Sequence, residues 1–327
     1  MRITLISLLL VLVTGCDNSR LVVLTGETMG TTYSVKIVDA SGDTSALAGR
    51  IDAELVAFNA VMSTYIPDSE LSRFNTSTPG TWFAASDQLI AVMAMAAQLY
   101  RLSDGAFDVT VGPLVNLWGF GTTPFERRIP GPDELAAAKS LVGFTHIAIG
   151  EASLRRDIDA YVDLSAIAKG YGVDVIAGLV ESAGYTNYLV EIGGELRARG
   201  LNERGLPWRI AIERPDTGQR VPFLAINLRD MAMATSGDYR NYFEVDGERY
   251  SHTIDPATGW PITHALASVT VLAPTCAWAD GMATAINVLG PERGLALAEA
   301  QGLAVFAIIK DGSGFVERHT TAFAPYL

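Results

Sequence analysis

The sequence predicts an α+β fold in which mixed, largely antiparallel sheets pack against helices. Segments with the two-residue periodicity of strands are interspersed with segments that show the helical spacing of apolar residues. Several strand-like segments come in hairpin-like pairs, and the regular strand–helix–strand alternation of a doubly wound sheet is missing. About half of the 327 residues (49%) are hydrophobic, which is enough for a sizeable core.

The N-terminal half is predicted to open with a hairpin and to continue with three helices and a second hairpin. Residues 21–24 and 32–38 alternate and are rich in β-forming side chains. Apolar side chains recur at helical spacing in 46–62, and an aspartate near the start of 86–102 favours a second helix. The other elements predicted here are a short helix at 132–141 and paired strands at 146–149 and 154–158.

The C-terminal half is predicted to contain most of the strands and the longest helices. Helical spacing of apolar residues favours a helix over 165–182 in spite of its three glycines. The segments that look like strands are 188–192, 208–213, 223–228 and 267–272. Two helices at 279–289 and 292–300 and two strands at 303–309 and 315–318 complete the predicted order.

The first sixteen residues have the pattern of a lipoprotein signal peptide. A positively charged start is followed by an apolar run at 3–13, which is too short for a comfortable transmembrane helix. The run ends in Val-Thr-Gly-Cys, which resembles the bacterial lipobox, and the cysteine that would carry the lipid is Cys16. The alternative is an ordinary secretory signal with an incidental cysteine. Asp17 resembles an inner-membrane retention signal, so we expect anchoring at the periplasmic face of the bacterial inner membrane.

Composition limits the organisation and the partners of the mature chain. We expect a signal peptide at 1–15, a lipidated cysteine with a short tether at 16–20, and a single catalytic domain at 21–327. With Cys16 lipidated, Cys276 has no partner for an intramolecular disulfide. The formal net charge of −12 argues against nucleic-acid binding, which needs clustered Lys and Arg.

Six short clusters place charged or hydroxyl side chains beside small residues at the ends of apolar segments. Turns alone would explain any single cluster, because turns need Gly, Asp and Asn. The ends of strands and helices are also where sites usually lie, so the whole set favours a functional site. The clusters are 29–31, 105–108, 163–170, 191–195, 252–259 and 279–284.

The spacing of Asp280 and Thr284 suggests a metal site. Two helical residues four apart share one face. A carboxylate and a hydroxyl on one face suit Mg²⁺, which takes oxygen ligands and shares them with substrate phosphates. Spacing alone favours the alternative of a capping aspartate and a threonine that bonds back to its own helix.

Two further segments carry candidate residues. Asp163 and Ser165 are predicted to open a helix whose N-terminal N–H groups, together with Lys169, would attract an anion. A simple helix cap followed by a solvated lysine is the alternative. His252 could accept a proton from an attacking hydroxyl, or could be a structural histidine bonded to the backbone. The sequence lacks a Gly-x-Gly-x-x-Gly or Walker A loop, a zinc-type His/Cys cluster and a Gly-x-Ser-x-Gly elbow.

Taken in order, the clusters resemble the ApbE family of FAD:protein FMN transferases, including its lipoprotein members. The stretches at 105–114, 163–174 and 252–259 are the most specific part of the resemblance, which covers nearly the whole mature chain. It implies an ApbE-like, T-fold-related α+β fold. It also implies transfer of FMN from FAD to a Ser or Thr hydroxyl of an acceptor protein, with a phosphoester-linked flavin formed and AMP released.

The resemblance also implies roles for particular residues. The catalytic base would be His252, with Asp255 as a possible helper. One or two Mg²⁺ ions would be held by Asp280, Thr284 and the main-chain carbonyl of Ala166. The residues expected to contact FAD are Met29, Tyr65, Ala106, Phe107, Asp108, Asp163, Lys169 and Ile254.

Two rival functions remain open at this point. Water could replace the acceptor hydroxyl, which would make the chain an FAD pyrophosphatase that releases FMN and AMP. A flavin-binding lipoprotein without turnover is less favoured, because both candidate metal ligands are present. The expected acceptor is a flavoprotein subunit of a membrane redox complex or an exported flavoprotein, and the expected membrane contact is the lipid anchor.

Overall fold

The computed structural model describes residues 20–39, 44–122, 126–215, 221–237 and 241–327. The predicted signal peptide at 1–15 and the predicted lipidation site Cys16 lie outside these residues. Within the described ranges, no helix combines the length and the apolar character needed to span a membrane.

The chain forms fifteen strands and seven α-helices within the described residues. The strands are β1 (Arg20–Thr28), β2 (Thr31–Asp39), β3 (Phe83–Ala84), β4 (Ile147–Ile149), β5 (Ser153–Arg156), β6 (Tyr188–Ile192), β7 (Glu195–Arg199), β8 (Trp208–Glu213), β9 (Pro222–Leu228), β10 (Met231–Gly237), β11 (Tyr242–Val245), β12 (Glu248–Ser251), β13 (Leu266–Ala273), β14 (Ala304–Asp311) and β15 (Gly314–His319). The helices are α1 (Ser45–Met62), α2 (Glu70–Asn75), α3 (Asp87–Leu102), α4 (Gly112–Leu117), α5 (Pro132–Lys139), α6 (Ala168–Ser182) and α7 (Cys276–Ala300).

An eight-stranded antiparallel sheet organises the fold. Its strand order is β1-β2-β6-β7-β10-β13-β14-β15. Every residue of the interior strand β13 is buried. One face of the sheet packs against α6 and α7, and the other packs against the β8–β9 hairpin. Burial of both faces explains why β13 is largely apolar without the alternation of a half-exposed strand.

Helices α6 and α7 pack closely because Gly170 lies at their contact. A Cβ added at Gly170 would lie 2.4 Å from the main-chain oxygen of Cys276 and 2.7 Å from Cβ of Asp280. Asp174 of α6 fixes the start of α7, since its carboxylate accepts hydrogen bonds from the N–H groups of Cys276 (3.0 Å) and Ala277 (2.9 Å). A carboxylate at a helix N-terminus is stabilised by the unpaired N–H groups there. These contacts fix the helix that carries Asp280 and Thr284.

An aromatic cluster supports the opposite side of the site. Trp118 donates from Nε1 to the carbonyl of Gly259 at 2.9 Å and stacks on Tyr250 of β12, with ring centroids 5.6 Å apart. Phe243 of β11 stacks on the same tyrosine at 5.3 Å. The cluster thereby holds the β11–β12 hairpin, and the segment that begins with His252 follows directly from it.

The α+β prediction is confirmed, and the differences concern individual elements. The long helices, the first hairpin and the β4–β5 hairpin occur where they are predicted, within a few residues. The break predicted between 289 and 292 is present as non-helical backbone at Gly290, which precedes Pro291. The elements that the sequence prediction missed are α2, α4, β3, β7, β10, β11 and β12.

The predicted start of the helix at 165–182 is wrong. Helix α6 begins at Ala168. Asp163 does not cap it: Oδ1 of Asp163 accepts from the N–H (2.9 Å) and the hydroxyl (2.5 Å) of Ser165, and the two residues form a local turn. Aspartate competes for nearby main-chain donors in this way, which delays the helix.

Candidate active site

A cleft of about 470 Å³ lies where the N-terminal part of α6, the middle of α7 and the end of β10 meet the segment after β12. Its wall combines acidic, basic, hydroxyl, amide and aromatic side chains. The lining residues are Tyr65, Ala106, Phe107, Asp108, Val111, Val115, Phe120, Asp163, Ser165, Ala166, Lys169, Glu195, Thr235, Ser236, Gly237, Asn241, His252, Thr253, Ile254, Pro256, Asp280, Thr284, Asn287 and Val288.

The cleft gathers most of the residues predicted from the sequence. The predicted metal ligands Ala166, Asp280 and Thr284 all line it, as does the predicted base His252. Seven of the eight predicted FAD contacts also line it: Tyr65, Ala106, Phe107, Asp108, Asp163, Lys169 and Ile254. Met29 and Asp255 are not among the lining residues.

Asp280 is the most deeply buried acidic group of the cleft. It is 3% exposed, and its Oδ2 accepts a hydrogen bond from the N–H of Gly170 at 2.9 Å. Burial raises the pKa of Asp280, and the Lys169 charge and the Gly170 hydrogen bond oppose that rise. In a continuous helix, the N–H of Gly170 would donate to the carbonyl of Ala166. Because this donor binds Asp280, the Ala166 carbonyl does not receive its usual helical partner.

Lys169 lies between two carboxylates. It forms an ion pair with Glu195, which is 4% exposed, and the Asp280 charge also acts on it. Burial would lower the pKa of Lys169, but the charges of Asp280 and Glu195 outweigh burial and raise it, so the lysine is cationic. Burial raises the pKa of Glu195 to about 7, although Lys169 opposes the rise. Two buried carboxylates thus share one ammonium group.

This arrangement fits a hard divalent cation. Asp280 would contribute a carboxylate oxygen, Thr284 a hydroxyl and Ala166 a main-chain carbonyl, which are the oxygen ligands that Mg²⁺ takes. The hydroxyl of Thr284 lies 3.2 Å from that of Ser236, which orients it within the cleft. Among the described residues, no group of three or more His, Cys, Asp or Glu side chains could hold a metal. Of the three predicted ligands only Asp280 is one of these residue types, so this finding does not test the set. The Mg²⁺ site stays a prediction.

The loop after α3 forms one wall of the cleft and is fixed by Asp108. Its Oδ1 accepts from the N–H (2.8 Å) and hydroxyl (2.6 Å) of Thr110, and its Oδ2 accepts from the N–H of Phe144 (3.1 Å). Burial raises the pKa of Asp108 against these hydrogen bonds. The N–H of Asp163 donates to the carbonyl of Val109 at 2.7 Å, which joins this loop to the next lining segment. The Asp108 carboxylate therefore holds the shape of the loop.

His252 is held by the main chain opposite it. Both its N–H and its ring Nδ1 lie 3.0 Å from the carbonyl oxygen of Asn241. A carbonyl only accepts, so Nδ1 carries the proton in this hydrogen bond, and whenever the ring is neutral its lone pair is on Nε2. The Phe120 ring meets the imidazole edge-on, with centroids 6.3 Å apart. The ring therefore has the tautomer and the support that a general base needs.

Asp255 has a local structural role in this structure. Its Oδ1 accepts from the N–H of Ala257 at 2.9 Å, and its main chain exchanges hydrogen bonds with Gly259 and Trp260. These bonds form the turn that positions His252 and Ile254. Its predicted part in proton transfer stays a prediction.

Met29 and Tyr65 occupy different parts of the site region. Met29 has a positive φ of 50° in the two-residue β1–β2 turn, and a Cβ added at Gly172 of α6 would lie 2.7 Å from its Cε. Tyr65 is 71% exposed at the cleft, and partial burial and the Asp163 charge raise the pKa of its hydroxyl. Tyr65 is thus exposed at the cleft, whereas Met29 packs against α6 at Gly172.

Sequence reasoning did not select several residues of the cleft. Glu195 belongs to one of the polar–glycine clusters, and its place after two glycines was the signal available. Asn287 continues the helical face of Asp280 and Thr284, so its spacing could also have indicated it. Thr253 lies in the 252–259 cluster, which is the same kind of signal. Other missed residues, among them Phe120, Thr235, Ser236 and Asn241, have no comparable local signal.

Comparison with known proteins identifies the family. The model of the ApbE family matches residues 29–307. An FAD:protein FMN transferase of Vibrio cholerae is 51% identical over 322 residues, which cover 97% of this chain and 96% of that protein. The structure of the flavin transferase ApbE from Vibrio cholerae has a TM-score of 0.89 and 49% identity, and the match covers 94% of this chain and all of that one.

A second solved structure gives the same result. The apo form of the flavinyl transferase ApbE from Pseudomonas stutzeri has a TM-score of 0.87 and 43% identity, with 94% of this chain and 97% of that chain covered. The predicted resemblance, the fold class and the enzyme class, FAD:protein FMN transferase, are confirmed. The chain belongs to the ApbE family.

Proposed function

We propose that this chain transfers FMN from FAD to a Ser or Thr hydroxyl of an acceptor protein in an Mg²⁺-dependent reaction that releases AMP. The observation that carries the proposal is a single cleft lined by Asp280, Thr284, Lys169 and His252. Oxygen ligands for a cation, a fixed ammonium group and an imidazole are the parts that attack on a pyrophosphate needs.

The pyrophosphate of FAD would lie against Lys169 and the metal ligands. Lys169 is cationic and half-buried, so its charge is less screened there than at the surface. When bound, Mg²⁺ would neutralise negative charge on the phosphate oxygens. Asp280 would hold the cation in place, and the Gly170 N–H fixes the orientation of the Asp280 carboxylate. Charge stabilisation of this kind is the main requirement of phosphoryl transfer.

His252 would accept the proton of the attacking hydroxyl. The acceptor oxygen forms a bond to the FMN phosphorus as the bond from that phosphorus to the bridging oxygen breaks. The hydroxyl proton passes to Nε2 of His252, and AMP leaves with the bridging oxygen. The hydrogen bond of Nδ1 to Asn241 would stabilise the imidazolium that results.

Membrane anchoring through Cys16 is part of the proposal and rests on the sequence pattern at 13–16. It would place the cleft at the periplasmic face of the inner membrane. The acceptor would be a flavoprotein subunit of a membrane redox complex or an exported flavoprotein. Mass spectrometry of the mature N-terminus would test the lipidation.

Incubation with FAD, Mg²⁺ and candidate acceptors tests the reaction. We expect a fluorescent, covalently flavinylated acceptor on a denaturing gel, with one AMP released per transfer. EDTA should abolish both signals, and excess Mg²⁺ should restore them. Fast AMP release without an acceptor would instead indicate a pyrophosphatase, and activity that persists in EDTA would contradict the metal assignment.

Replacement of His252 by alanine should slow transfer more than it weakens FAD binding. General base catalysis contributes about 10²- to 10⁴-fold, so we expect a fall in kcat of about this size with FAD affinity changed less than about threefold. Stopped-flow transfer rates and FAD titrations would measure the two effects.

His319→Ala is a matched control for that experiment. His319 also has Nδ1 near a backbone carbonyl, that of Thr320 at 3.1 Å, and it is not among the cleft residues. We expect transfer by this variant at the wild-type rate. Equal losses of rate and FAD affinity in His252→Ala would indicate a binding role for His252 instead.

A further inference from the structure

Asn287 has a buried amide oxygen that receives no hydrogen bond. The residue is 1% exposed and lines the cleft. Its Nδ2 donates to the hydroxyl of Thr253 in a long contact of 3.4 Å. Within the described part of the chain, Oδ1 has no hydrogen-bond partner. A buried carbonyl oxygen without a donor is costly, so its retention at a cleft wall points to a ligand that supplies the donor.

Asn287 continues the row of candidate metal ligands along α7. Asp280, Thr284 and Asn287 are spaced by four and three residues, so all three share one helix face. With a rise of 1.5 Å per residue, Asn287 lies about 4.5 Å beyond Thr284 along the helix axis. A group bound at Asn287 is therefore about one sugar unit away from a phosphate bound at the metal ligands.

We propose that Oδ1 of Asn287 accepts a hydrogen bond from a sugar or polyol hydroxyl of FAD next to the pyrophosphate. The inference rests on the proposed function, because it takes FAD as the occupant of the cleft. Both halves of FAD carry hydroxyls close to the phosphates, on the ribityl chain and on the ribose. Asn287 is thus a substrate-binding residue that selects for a hydroxylated chain at this position.

A hydrogen bond from FAD to Asn287 would let the site discriminate against analogues that lack the hydroxyl, as well as raise the affinity for FAD. A site that hydrogen-bonds a substrate hydroxyl rejects the analogue without that hydroxyl, because the polar group of the protein is left unpaired. The carbonyl is buried and has no partner among the described residues, so a missing substrate hydroxyl would leave it unpaired. The neighbouring Ile254 and Val288 cannot donate a hydrogen bond from their side chains.

The test measures binding of FAD and two analogues in the presence of Mg²⁺ and without an acceptor protein. One analogue lacks a ribityl hydroxyl and the other lacks a ribose hydroxyl. We expect the wild type to bind one of them about tenfold more weakly than FAD, which identifies the half of FAD that Asn287 contacts. Asn287→Leu should bind FAD about tenfold more weakly and should not distinguish FAD from that analogue.

Ser268→Ala is the matched control. Ser268 in β13 is also 1% exposed, and its Oγ is likewise without a partner among the described residues, but it does not line the cleft. Its replacement should leave FAD affinity and analogue discrimination unchanged. In the absence of FAD, Ser268→Ala should not lower the melting temperature, because it removes an unsatisfied buried polar atom. Asn287→Leu should lower it only slightly, because the contact to Thr253 that it also removes is long, at 3.4 Å.

Three results would overturn the inference. The wild type could bind both analogues as tightly as FAD, Asn287→Leu could keep full FAD affinity, or the variant could still distinguish the analogues. A wild type that binds FAD with this discrimination but flavinylates no acceptor would contradict the proposed function and would support the Asn287 contact. The two proposals therefore fail separately.

Discussion

Asp280→Ala is expected to reduce flavin transfer by at least about a thousandfold while the protein stays folded. A metal ion contributes several kcal/mol to transition states of this type, and about 4 kcal/mol corresponds to a thousandfold in rate. Asp280 is the one carboxylate of the proposed ligand set, so its loss removes the charge that holds Mg²⁺. Transfer rates and Mg²⁺ titrations of the purified variant would measure the effect.

The fold should tolerate the loss of Asp280 because the burial of its charge is only partly offset by Lys169 and the Gly170 N–H. Burial raises the pKa of this carboxyl, because a charge is solvated less well inside the protein than in water. Removing it still leaves Lys169 paired with Glu195. We expect a circular dichroism spectrum like that of the wild type and a melting temperature within a few degrees of it.

Asp280→Asn and Thr284→Val test separately the negative charge of the proposed metal site and its neutral hydroxyl ligand. Asparagine keeps an oxygen that can accept from the N–H of Gly170 but removes the negative charge, so transfer should fall nearly as far as in the alanine variant. Valine at 284 removes one neutral ligand and should cost less. Glu292→Ala alters an exposed carboxylate on the same helix and serves as the control. Wild-type flavinylation by Asp280→Ala with Mg²⁺ supplied would refute the metal assignment.

Those site residues that lie on one helix could be predicted from the sequence. The pairing of Asp280 with Thr284 depends only on helical spacing, and both line the cleft. Glu195 could not be assigned in this way, because its ion pair with Lys169 spans 26 residues and depends on how β7 packs against α6. The Ala166 carbonyl depends on a hydrogen bond of Gly170 that leaves the helix for Asp280. Sequence periodicity describes one helix or strand at a time, whereas each of these contacts joins two different elements of the fold.

The missed strands have two different causes. Residues 195–199 and 231–237 are poor in β-branched side chains, and they become strands because neighbours in the large sheet complete their hydrogen bonds. The β11–β12 hairpin could have been predicted, because an Asp-Gly pair favours a two-residue hairpin turn. In the structure Asp246 and Gly247 both have positive φ and form that turn. The strands β7 and β10 therefore depend on their neighbours in the sheet, whereas the signal for the β11–β12 hairpin was present in the sequence.

Gly170→Ala is expected to destabilise the protein and to impair transfer together. The added Cβ would meet a main-chain oxygen of Cys276 at 2.4 Å, and a main-chain atom can yield only if α7 moves. Overpacking of this kind costs about 1–3 kcal/mol. The same movement displaces Asp280, whose Cβ lies 2.7 Å from the added atom, and its hydrogen bond to the Gly170 N–H. A misplacement of about 1 Å in a catalytic group can cost about a hundredfold in rate.

Gly178→Ala, in the same helix, is expected to stabilise the protein. It is the control that shows whether the effects of Gly170→Ala come from the close packing of α6 on α7. Nothing lies within 4 Å of a Cβ at this position, so alanine should raise the free energy of unfolding by up to about 1 kcal/mol through helix propensity. Transfer should not change, because the α6–α7 contact is untouched. Urea unfolding and transfer rates of both variants would measure these effects. If Gly170→Ala were as stable and active as Gly178→Ala, close packing of the two helices would not be what positions Asp280.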